Sequence, residues 1–83
     1  MTVAVLDADL LAEALFTSTL QRSEHPGPAL IRDTVQAQVF HVGERECSAR
    51  VAQEFGEHPE AACCRMVWAR EAVLDAFALE VAL

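Results

Sequence analysis

The stretch that decides the fold is PEAACCRMVWAREAVLDAFAL, residues 59–79. Its apolar residues recur at intervals of three and four, which is the spacing of one face of an α-helix. Pro59 suits a first helical turn, because its fixed backbone angle fits there and its missing N–H is not needed. The stretch therefore predicts a long helix over residues 59–79, with a central apolar stripe of Ala62, Met66, Ala69, Val73 and Phe77.

The opposite side of this helix carries a narrow polar strip of acidic residues that also holds Cys64, with Trp68 on its margin. The apolar arc is wider than one packing face needs, so the helix is expected either to lie at the centre of the core or to contact a partner. Trp is a common anchor residue at interfaces, although a Trp that merely closes a small core is an equally good interpretation. The candidate protein-interface residues are Glu60, Cys64, Trp68, Glu71 and Asp75.

Three further helices are predicted upstream, over about residues 7–21, 29–42 and 44–55. Asp7 or Asp9 is expected to cap the first of them, and Gly43 and Gly56 to end the second and third. The expected apolar positions of the second helix are Leu30, Ile31, Val35, Ala37 and Val42. The tripeptides Glu24-His25-Pro26 and Glu57-His58-Pro59, 33 residues apart, are good interhelical turns. The prediction is a compact all-α domain of four helices arranged as two helical hairpins.

The composition agrees with a single folded domain over residues 1–83. The chain is 53% hydrophobic and 23% charged, which lies outside the regime of disordered proteins. A domain of 83 residues buries a modest share of its surface, so a partner or a second copy would add to its stability. Six Arg against 13 acidic residues give a net charge of −7, and such a field repels phosphate backbones. Nucleic acid is therefore a disfavoured partner.

The location is expected to be cytoplasmic. The segment from Met1 to Leu6 has no positive start, and acidic residues soon interrupt it, so neither an export signal nor a membrane span is predicted. Three cysteines cannot all pair within one chain, which favours a reducing compartment over a disulfide scaffold.

We expect neither a metal site nor a catalytic site. The candidate ligands show no C-x-x-C or H-x-x-x-H spacing, and adjacent cysteines on a helix point about 100° apart. A cysteine nucleophile would need a base within reach, and His58 is poorly placed for that role. We therefore expect no enzyme activity and no cofactor. A metal-binding or redox-sensing protein remains the second alternative, on the candidates His41, Cys47, His58, Cys63 and Cys64.

The most specific local pattern runs from residue 49 to residue 73 and includes RVAQEFG (50–56), PEAA (59–62) and RMVWAREAV (65–73). It resembles the C-terminal helix-turn-helix of bacterial sigma factors, with Gly56 in the turn and Arg65, Ala69 and Arg70 in the second helix. The resemblance implies DNA contact, for which Arg65 and Arg70 are the candidate phosphate-binding residues. The family reads bases through exposed polar residues at the start of the second helix, where this chain instead has Glu60, Ala61, Cys63 and Cys64.

Two hypotheses of function follow. The first is a non-enzymatic protein that acts by contact with another protein or with a second copy of itself, with a role in transcription regulation suggested by the resemblance. The alternative is a helix-turn-helix regulator that binds DNA.

Overall fold

A computed structural model of the protein describes residues 8–77, and within this range it contains four α-helices and no strand. The helices are α1 (Ala8–Thr17), α2 (Pro28–His41), α3 (Glu44–Glu57) and α4 (Pro59–Phe77). A short 3-10 turn, Arg22–Glu24, lies between α1 and α2. The predicted all-α, four-helix domain is confirmed. Asp7, one of the two expected caps, and the last two residues of the predicted fourth helix lie outside the described residues.

The consecutive helices α1 and α2 contact each other, and so do α3 and α4, as the two-hairpin arrangement requires. The more extensive contacts, however, join a helix of one hairpin to a helix of the other. The first and last helices, α1 and α4, pack most extensively, followed by α1 with α3 and α2 with α4. Contacts within the hairpins α1–α2 and α3–α4 are smaller. The domain is therefore held together mainly by α1 and α4, which are distant in sequence.

The first helix ends at Thr17, four residues before the predicted end at 21. The reason is local: the Thr17 hydroxyl donates to the carbonyl of Ala14 at 2.9 Å, and the Ser18 hydroxyl to that of Leu15 at 2.7 Å. Such side-chain bonds to the backbone compete with continued helix. The hydrogen bond from the Gln38 amide to the Thr17 hydroxyl at 3.0 Å then fixes this end of α1 against α2.

The third helix continues through Gly56 to Glu57, so the expected stop at Gly56 is wrong. Among the described glycines only Gly43 has a positive φ, so Gly56 has ordinary helical backbone. The helix ends instead at His58, because a residue that precedes proline is disfavoured in the helical conformation. His58 is the one residue between α3 and α4.

The core confirms the apolar stripe predicted for α4. Ala62, Ala69 and Val73 are buried, and Met66 and Phe77 pack against them half-buried. Within residues 8–77 no charged or polar side chain is fully buried. The remaining buried side chains come from all four helices and are Ala12, Ala14, Leu15, Phe16, Ile31, Val35, Cys47, Val51 and Ala76.

The second helix follows its predicted apolar pattern only in part. Ile31 and Val35 are buried and Val42 is half-buried, but Leu30 and Ala37 are exposed, contrary to the prediction. Leu30 is turned away because Ile31, the next residue, takes the inward position, and a helix places neighbours about 100° apart.

Replacing each of the two glycines near the ends of α3 by alanine should change the free energy of unfolding, in opposite directions at the two positions. Gly43, with φ 92° and ψ 154°, occupies a region that is essentially closed to other residues, and a Cβ there would meet no atom within 4 Å. Gly43→Ala should therefore lower the free energy of unfolding by about 1–3 kcal/mol through backbone strain alone. Gly56→Ala should raise it by about 0.5–1 kcal/mol, because alanine is the better helix former and the site has room.

Urea unfolding of the wild type and the two variants measures both effects. A destabilised Gly56→Ala variant would show that Gly56 forms the turn, as the helix-turn-helix resemblance implies, and would contradict the helix end described above.

Candidate functional site

The candidate interface residues on α4 lie on one side of the helix, facing solvent. Glu60, Cys64, Glu71 and Asp75 are all exposed, and their positions fall within about a quarter-turn of one another on a helical projection. The structure thus brings the acidic strip together along nearly the whole length of α4.

Two exposed apolar side chains, which were not among the predicted interface residues, lie on the same side of α4. Val67 is 52% exposed and Leu74 is 45% exposed. They are seven residues apart, which places them about 20° apart around the helix, beside the acidic residues. The sequence did indicate such side chains, because the apolar arc of this helix is wider than one packing face needs. We call the surface formed by Glu60, Cys64, Val67, Glu71, Leu74 and Asp75 the outer face.

Trp68 lies at the edge of the outer face and is half-buried. Its ring packs against the core, and the guanidinium carbon of Arg65 lies 5.1 Å from the ring centroid. This distance is that of a cation–π contact. Trp68 therefore belongs partly to the core, and only its outer edge is available to a ligand or partner.

Arg65 is turned inward, toward the end of α1. Its Nε donates to the carbonyl of Phe16 at 2.8 Å, and its Nη2 lies 2.9–3.3 Å from the carbonyl oxygens of Leu15, Ser18 and Leu20. The guanidinium also lies 5.7 Å from the Phe16 ring centroid. The last carbonyls of a helix have no partner within the helix, so Arg65 supplies the donors that the end of α1 lacks.

The electrostatics of this contact are favourable. The C-terminal end of a helix carries partial negative charge, and a cation placed there is stabilised. Desolvation by burial lowers the pKa of Arg65. A guanidinium nonetheless stays charged at neutral pH, because its ordinary pKa is so high. Two of the three guanidinium nitrogens, Nε and Nη2, donate hydrogen bonds to backbone carbonyls.

Arg70, the other candidate phosphate contact, lies on the surface. Its Nη1 is 2.7 Å from a carboxylate oxygen of Asp9, and both side chains are more than half exposed. An exposed ion pair of this kind contributes little to stability, typically below about 1 kcal/mol.

The segment that resembles a helix-turn-helix consists of α3, His58 and α4. Glu60, Ala61, Cys63 and Cys64, at the start of the second helix, are all exposed. The exposed surface where the family reads bases is therefore acidic and apolar in this chain.

The cysteines and histidines do not gather at one place. Cys47 is buried, whereas Cys63 and Cys64 are exposed. His41 and His58 are exposed as well. In the described part of the chain, no three His, Cys, Asp or Glu side chains lie close enough to hold a metal ion.

None of the helices between Ala8 and Phe77 combines the length and the apolar character needed to cross a bilayer. Comparison with protein-family models, with curated proteins and with solved structures found no match to this chain.

The position of Arg65 leads to a prediction about stability. Arg65→Met should lower the free energy of unfolding by about 2–4 kcal/mol, because the carbonyls of Phe16, Ser18 and Leu20 lose the guanidinium that donates to them. Arg65→Lys should recover only part of this loss, since an ammonium group lacks the planar fork that reaches several carbonyls at once.

The matched control is Arg45→Met. Arg45 is exposed and makes no side-chain hydrogen bond or ion pair among residues 8–77, so its loss should change stability by less than about 0.5 kcal/mol. Denaturant unfolding followed by circular dichroism measures all three variants. Equal, small effects at positions 65 and 45 would contradict the structural role of Arg65.

Proposed function

We propose that the protein is a non-enzymatic interaction domain whose outer face binds another protein. The observation that carries the proposal is the pair Val67 and Leu74, exposed on one side of α4. Glu60, Glu71 and Asp75 border the pair on one side, and the Arg70–Asp9 ion pair borders it on the other. An apolar strip with charges at its rim is the usual composition of a protein-binding surface.

The chemistry of the outer face indicates the kind of partner. A complementary surface has an apolar stripe flanked by Lys or Arg, as on a basic amphipathic helix, because opposite charges across an interface fix its orientation and speed association. Two copies of this chain would bring acidic rims together while each carries a net charge of −7. The charge pattern therefore favours a different, basic protein over a second copy.

We infer a role in transcription regulation only from the resemblance of residues 49–73 to the sigma-factor helix-turn-helix. A regulator could act by contacting a protein or by binding DNA, and protein contact is the better supported of the two. The guanidinium of Arg65 points at backbone carbonyls, Arg70 is paired with Asp9, and the exposed start of α4 carries Glu60.

The binding test uses a defined probe, an 18-residue amphipathic helical peptide with leucines on one face and lysines beside them. Fluorescence anisotropy should show saturable binding with a dissociation constant on the order of 10 μM, and a peptide with Glu in place of Lys should not bind. Val67→Ser with Leu74→Ser should weaken binding at least about tenfold.

The matched control removes two exposed apolar side chains elsewhere. Leu30 and Phe40 on α2 are 49% and 82% exposed, so the pair Leu30→Ser and Phe40→Ser removes at least as much exposed apolar surface, away from the outer face. This variant should bind the peptide as the wild type does. If the α2 variant lost binding and the α4 variant kept it, the outer face would not be the binding surface.

Light scattering gives the solution mass, and a stable dimer lost on changing Val67 and Leu74 would assign the outer face to a second copy.

The DNA alternative has its own measurement. At about 50 mM salt, where phosphate contacts are strong, we expect no anisotropy change with mixed genomic fragments. Binding at that salt concentration that is lost in Arg70→Gln would favour the DNA-binding regulator over the protein-binding domain.

A further inference from the structure

A small open notch lies between the 3-10 turn and the first half of α4. It has a volume of about 300 Å³ and is lined by Gln21, Arg22, Ala61, Cys64, Arg65 and Trp68. We call it the Arg22 notch. Its volume is at the low end of the range for small-molecule sites, so it fits a small group or the end of a chain rather than a large cofactor.

The lining of the Arg22 notch carries two positive charges and no carboxylate. Arg22 is exposed and forms no ion pair among residues 8–77, and Glu24, its neighbour in the turn, accepts the backbone N–H of Gln21 at 2.9 Å. Arg65 uses Nε and Nη2 on the end of α1, while Nη1 makes no hydrogen bond to the described residues. The notch is thus lined by two arginines, of which Arg22 has no ion-pair partner among residues 8–77 and Arg65 has one nitrogen without a hydrogen bond to them, in a strongly acidic protein.

A second groove, of about 470 Å³, shares Ala61 and Arg65 with the notch but has a balanced charge. It is lined by Arg50 and Arg65 together with Glu46 and Glu54, and Arg50 is already paired with Glu46 at 3.1 Å. The Arg22 notch is therefore the better site for an anion.

The surroundings favour a singly charged, partly apolar ligand. The net charge of −7 repels phosphate groups and polyanions more strongly than a single carboxylate. Guanidinium groups match the planar geometry of a carboxylate, and Trp68 and Ala61 offer apolar surface beside them. We infer that the Arg22 notch binds a carboxylate carried on a small apolar group, as in an acylated amino acid or the free end of a peptide.

This inference does not rest on the proposed function. The Arg22 notch shares Cys64 with the outer face and Trp68 with its edge, but it contains neither Val67 nor Leu74. The variant with serine at both of those positions should still bind the carboxylate, so failure of one proposal is distinguishable from failure of the other.

The test uses the one Trp of the chain as its reporter. N-acetyl-leucine, titrated at constant ionic strength, should change Trp68 fluorescence and shift its indole N–H resonance in a saturable way, with a dissociation constant on the order of 1 mM. N-acetyl-leucinamide, which has the same apolar group and no charge, should produce no saturable change. A tetrapeptide ending in leucine, compared with its amide, shows whether a chain end also fits.

Arg22→Gln should weaken binding of N-acetyl-leucine by about five- to tenfold. Arg22 makes no side-chain hydrogen bond among residues 8–77, so this variant should fold as the wild type does, which circular dichroism checks. Arg45→Gln changes the net charge equally and should leave binding within about twofold of the wild type. Equal binding of the acid and the amide, equal losses in the two arginine variants, or no response at ten times the expected dissociation constant would overturn the inference.

Discussion

The contact of Arg65 with the end of α1 is the interaction on which the rest of the structure depends. A helix of ten residues is not stable in water by itself, so α1 needs its packing on α4 and a partner for its last carbonyls. Arg65 supplies both the contact between the helices and the hydrogen-bond donors, because it extends from the first half of α4 and donates to carbonyls from Leu15 to Leu20. It also fixes the chain that leads into the 3-10 turn and lies against the Trp68 ring. The Arg22 notch and the edge of the outer face therefore have their shape because of one side chain.

A second arginine makes a similar contact with the backbone of another helix. Arg32 on α2 donates to the carbonyl of Ala76 on α4 at 2.8 Å, so this arginine also joins two helices through a backbone carbonyl. Arg32 and Arg65 are 33 residues apart, as are the two Glu-His-Pro turns, but the helices that they contact, α4 and α1, do not correspond at that offset. The echo in the sequence thus reflects a shared use of arginine and of His-Pro turns rather than a repeated packing arrangement.

Much of the fold was predictable from the sequence, because apolar spacing directly reports which face of a helix is buried. The stripe on α4 and the exposure of Glu60, Cys64, Glu71 and Asp75 both followed from it. Contacts distant in sequence were not predictable in this way. The early end of α1 comes from the Thr17 and Ser18 hydroxyls, and the inward position of Arg65 depends on α1 and α4 lying side by side. Gly56 misled the prediction because Pro59, three residues later, is the stronger signal for a helix boundary.

The two proposed sites differ in charge although they share Cys64. The Arg22 notch is lined by Arg22 and Arg65 and by no carboxylate, whereas the outer face carries Glu60, Glu71 and Asp75 along nearly the whole length of α4. Under the two proposals, a partner that used both sites would present a carboxylate to the notch and basic groups to the outer face. A basic group opposite the notch, or a carboxylate opposite Glu71, would bring like charges together, which costs affinity. The two sites would therefore discriminate between partners by where charge lies around α4, because Arg65 holds the notch against the packed core while the acidic residues stay on the solvent side.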